Sequence, residues 1–141
     1  MGSKLTAILR WVLFLPAGIL GGWLAYMLVV LLNRLTFLIH GFDPDSFLSK
    51  VLILGIGHAV LGAATVWCAA RIAPARHNHV ALVVAGLALV GSGFLLFPAL
   101  VQRDYWAVLG ALAVCIGAGG VAYSIYTGET DLGVNRAVFG A

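Results

Sequence analysis

One histidine, His58, falls inside a long apolar run, and it is the residue best suited by type and position to do chemistry. At helical rise it lies about 10 Å in from Val51. An imidazole can donate, accept or carry a proton, and an ionisable group at that depth in lipid is a functional-site hypothesis by default. The simpler role is a neutral side chain making one interhelical hydrogen bond, worth about 0.6 kcal/mol. Tyr26 reaches a comparable depth in the first apolar run, with Ser92 and Cys115 somewhat deeper. These four residues are expected to form one intramembrane polar cluster.

The other reactive types are less well placed. His77 and His79 flank Asn78, close to Arg71 and Arg76, but no cysteine or carboxylate nearby completes a metal site. His40 and His58 do not supply paired axial ligands for a haem. In Asp43-Pro44-Asp45-Ser46, Asp43 reads as a helix N-cap and Asp45 as a first-turn acid favoured by the helix dipole. That loop offers too few oxygens for calcium. Cys68 and Cys115 are too few for a disulfide framework and read as small buried side chains. No nucleophile–base pair is evident, so no enzyme, metal or cofactor is expected.

The elements that would position His58 follow from composition. The 141 residues are 62% apolar and only 9% charged, with a mean hydropathy of +1.08. A soluble domain carries about 25% charged residues, so lipid is the expected solvent. Net charge is +3, but the few cations sit at the ends of apolar runs, where topology signals belong. Nucleic acid is therefore not an expected partner. The first run continues to Leu32, well past a signal-peptide core of about 7–15 residues, and reads as a retained span.

Charged residues divide the chain into four uncharged blocks, 11–33, 51–70 (containing His58), 80–102 and 105–128. About 20 residues cross the ~30 Å hydrocarbon core. The expected fold is all-α: a polytopic membrane protein with an antiparallel four-helix transmembrane bundle over 1–128 and a tail over 129–141. Asp43, Asn78 and Asp104 are the expected N-caps of the second, third and fourth helices. Pro44 is expected at the first helical position and Pro74 just beyond a helix end. With both termini in the cytoplasm, Lys4, Arg10, Arg71, Arg76 and Arg136 lie inside, and Arg34, Lys50 and Arg103 outside. That balance favours the N-in, C-in orientation. Arg34, Arg71 and Arg76 are expected at lipid headgroups.

Leucine packing gains nothing over lipid, so small residues should line the helix contacts. Steps of three and four select Gly18, Gly21 and Ala25; Gly55, His58, Gly62, Thr65 and Ala69; Ala81, Ala85, Ala88 and Ser92; and Gly110, Ala113, Gly117, Gly120 and Ser124. Gly18 and Gly22 also make a G-x-x-x-G pair, and Gly55-Ala59-Ala63 forms a second small stripe. The sequence alone points to a non-catalytic structural or accessory subunit, partnered by the bilayer and by itself or another membrane subunit. The alternative is a small channel or secondary transporter built around His58. Short loops and low cysteine use fit a bacterial inner membrane.

Overall fold

A computed structural model describes residues 2–41, 43, 46–73 and 76–130. Among them are four helices: α1 (Gly2–His40), α2 (Phe47–Ile72), α3 (His77–Val101) and α4 (Tyr105–Thr127). Each is long and apolar enough to cross a membrane. The chain is therefore a small all-helical membrane protein by helix length and composition, folded as a four-helix bundle.

Helix ends follow local chemistry, and two differ from the sequence expectation. α2 starts at Phe47, capped by Ser46, whose hydroxyl accepts from the Ser49 amide at 3.2 Å. Asp43 contributes its backbone carbonyl instead, which accepts from Ser49 Oγ at 2.9 Å. α3 starts at His77, one residue before the expected cap Asn78, and its N-cap residue Arg76 is left-handed at φ 56° with no side-chain capping bond. His77 reaches back so that Nδ1 bonds the Ala70 carbonyl at 2.6 Å, which ties it to the end of α2. Asp104 does cap α4, with Oδ1 accepting from the Trp106 and Ala107 amides, each at 3.2 Å. Pro44, Asp45, Pro74 and the tail beyond Thr130, including Arg136, lie outside the described residues.

α1 passes both ends of its expected span, 11–33. Its apolar stretch Ile8–His40 has 33 residues, roughly 50 Å at helical rise, against a hydrocarbon core of ~30 Å. Tilt or protrusion must take up the excess.

α2 is the organising helix. It packs against α1 on one side and α4 on another, and touches α3 as well, while α3 rests mainly on α4. Among the described residues, no helix but α2 makes more than a slight contact with α1. Glycine sets both main interfaces. A Cβ on Gly18 would lie 2.9 Å from Ala69 Cβ and from the Thr65 carbonyl, and one on Gly22 would meet Thr65 Oγ1 and the Leu61 carbonyl. A Cβ on Gly62 would strike the Val114 carbonyl of α4, and one on Gly117 the Ala59 backbone of α2. Close backbone approach of this kind is how apolar helices associate in lipid.

The seam expectation fails at two positions: a Cβ on Gly55 or Gly120 would meet nothing within 4 Å. Both residues point away from neighbouring helices. Ala59, from the second stripe, is used inside the bundle against Gly117.

The core is concentrated at one end. Val66, Ala69, Ala70 and Ala73 close α2; Val80, Ala81, Val84 and Ala85 open α3; Ala118, Ala122 and Ile125 close α4. Phe14 and Leu15 of α1 pack against this cluster. Arg10 seals the same end, its Nε donating to the Ile72 carbonyl at 2.9 Å and Nη2 to the Ala73 carbonyl at 3.4 Å. With His77, it satisfies three of the carbonyls that end α2 and places cationic character at the negative end of the helix dipole.

Candidate functional site: an intramembrane cavity beside His58

A cavity of about 470 Å³ opens between α2, α3 and α4, with polar lining from His58, Ser92, Gln102 and Asp104. Leu61, Leu95, Pro98 and Val114 are among its apolar walls. Ligand cavities span about 300–1,000 Å³ and pair apolar walls with a few polar groups, so this one is of ligand size.

His58 sits twelve positions into α2, about 17 Å along the helix. Its Nδ1 is 2.7 Å from the Leu54 carbonyl one turn earlier. A carbonyl can only accept, so Nδ1 carries the hydrogen, and the neutral ring then presents Nε2 as an acceptor. Gly110 makes room for that edge: a Cβ there would lie 3.3 Å from both Nε2 and Cδ2. On the other side the Tyr26 ring meets the imidazole edge-on, with centroids 5.1 Å apart at 64°. The small Gly57 admits Tyr26, since a Cβ there would lie 3.0 Å from the Tyr26 ring.

Of the four expected cluster members, Tyr26 and His58 are in ring contact and Ser92 lines the same cavity as His58. Cys115 is not part of its lining; it is a free, half-buried thiol on α4. Gln102, Asp104 and Gly57 join the site without having been selected from the sequence. The register of α1 on α2, set by Gly22 against Thr65, was the signal that could have paired Tyr26 with Gly57.

The cavity mouth lies at the α3–α4 turn, where Gln102 and Asp104 are exposed. Close by, Trp106 of α4 packs on Phe47 of α2, with centroids 5.6 Å apart. The expected headgroup residues Arg34, Arg71 and Arg76 are all exposed, and the Arg71 guanidinium stacks 5.2 Å over the Trp67 ring. No group of three or more potential metal ligands occurs among the described residues.

Comparison with known protein families, curated proteins and solved structures found no match. The reading of function therefore rests on the geometry of this chain.

Proposed function

We propose that the protein is a non-catalytic membrane subunit that works by association, as a homo-oligomer or within a larger membrane assembly. The supporting observation is α1. A compact bundle surrounds each helix with at least two neighbours, whereas α1 packs on α2 with no more than slight contact elsewhere among the described residues. Its outward side chains, including Leu20, Trp23, Leu24 and Leu28, are more than half exposed. A second copy or another subunit would supply the missing neighbour. The five-to-three distribution of Lys and Arg supports a cytoplasmic location for both termini, and a bacterial inner membrane is the proposed setting.

Light scattering on the purified protein, together with pull-down from native membranes and mass spectrometry, tests this reading. The expected result is a multimer or a reproducible membrane partner. A single-copy particle that recovers no partner would overturn it.

The cavity beside His58 favours a second reading, a small secondary transporter or channel. Against it stands the alanine- and valine-lined core that closes the other end, which would have to open for passage through one chain. Ion or proton flux in liposomes, lost on His58→Ala, would replace the first reading with the second.

A further inference from the structure

The cavity carries an inference of its own, independent of whether the chain associates. Its polar lining is spread along its length. Gln102 and Asp104 stand at the mouth, while His58 and Ser92 lie deeper, with Leu61, Leu95 and Val114 among the walls. Gly110, which holds the His58 edge, follows Asp104 by six residues on α4, a separation of roughly 9 Å at helical rise. Among the residues that line the cavity none is a lysine or arginine, and Asp104 is acidic. An anionic head would meet a carboxylate with no cation in the lining, Arg103 of the same turn lying outside it, whereas an ammonium would meet a carboxylate and an amide oxygen. At the deep end, Nδ1 of His58 is committed to Leu54, so a neutral ring offers Nε2 as an acceptor.

We propose that this cavity binds a short amphiphilic amino alcohol. The ammonium sits at Asp104 and Gln102, an apolar stem of about eight carbons runs along the walls, and a terminal hydroxyl donates to Nε2 of His58. A stem of that length spans about 10 Å, close to the roughly 9 Å of helical rise from Asp104 to the Gly110 that faces His58.

The test is photolabelling of the full chain in zwitterionic nanodiscs, using aminooctanol with a diazirine in its stem, followed by peptide mapping. Labels are expected on Leu61 or Val114, with competition by unmodified aminooctanol and none by hydroxyoctanoate. Asp104→Asn preserves a good helix cap while removing the charge, and is expected to weaken competition about tenfold. His58→Phe is expected to weaken it about threefold or more. Ala107→Leu fills the mouth and is expected to abolish labelling. Labels spread over the exposed Phe94 and Phe97, equal competition by hydroxyoctanoate, or labelling unchanged by Asp104→Asn would each overturn the proposal. Because Asp104→Asn leaves the cap in place, the conclusion survives if Ala107→Leu fails to fold.

Discussion

The Tyr26 ring stands edge-on to the His58 imidazole, 5.1 Å between centroids, and joins α1 to the middle of α2. The contact positions the imidazole from behind while its other edge faces Gly110. Edge-to-face pairs contribute about 0.5–1.5 kcal/mol beyond area burial. Tyr26→Phe is expected to leave thermal stability in detergent nearly unchanged, because the ring contact persists. Tyr26→Ala is expected to cost about 2–4 kcal/mol, through the lost ring pair and the cavity left behind. Equal losses for the two variants would mean the phenolic hydroxyl, not the ring, is what matters.

Glycine substitutions should separate interface from lipid-facing positions. Gly22→Leu and Gly117→Leu meet backbone and are expected to destabilise by about 1–3 kcal/mol or more. Gly55→Ala and Gly120→Ala meet open space and are expected to stay within about 0.5 kcal/mol of the parent. Unfolding titrations in mixed micelles measure the difference, and a large loss at Gly55 would reveal a neighbour there.

Arg10 grips the last carbonyls of α2 through two nitrogens. Arg10→Ala is expected to cost about 1 kcal/mol, reduced by its exposure to solvent. Arg10→Lys should recover part of that, since a lysine lacks the fork that spans two acceptors. Faster hydrogen exchange at the end of α2 is the accompanying sign, and unchanged exchange would count against the tether.

Replacing Ser46 by alanine removes the hydroxyl that accepts from the Ser49 amide. A loss of about 1 kcal/mol is expected, with early fraying of α2 by hydrogen exchange. Stability unaltered by Ser46→Ala would transfer the cap elsewhere in the connection.

Membrane crossing itself is testable. With Cys68 and Cys115 replaced by alanine, single cysteines at Gly41 and Arg103 are expected to label from one side of the membrane. Single cysteines at Arg76 and Glu129 are expected to label from the other. Labelling of Gly41 and Arg76 from the same side would remove α2 as a crossing.

The four helices were legible because lipid demands uninterrupted apolar stretches, and Lys50, Arg71 and Arg103 mark where those stretches stop. Asp104 was legible as a cap because it stands alone before its helix. Asp43 and Asn78 misled for opposite reasons: Ser46 lies nearer to α2, and His77 starts α3 earlier by bonding back to Ala70. Spacing alone could not separate Gly62, buried against Val114, from Gly55, which faces outward two helical turns earlier. The cavity was not legible, because it lies between three helices, and no local pattern encodes a gap between residues as distant as His58 and Gln102.

The central place of α2 also has a consequence for biogenesis. Because α1 finds its principal neighbour in the next helix, that hairpin can assemble as soon as Ala73 has left the ribosome and Arg10 can reach it. α4 must then find the remaining flank of α2, running parallel to it, after α3 has been laid down in between. The slow step of assembly should accordingly be the docking of Gly117 on Ala59 rather than the pairing of the first two helices, and chains truncated before α4 should carry a finished hairpin.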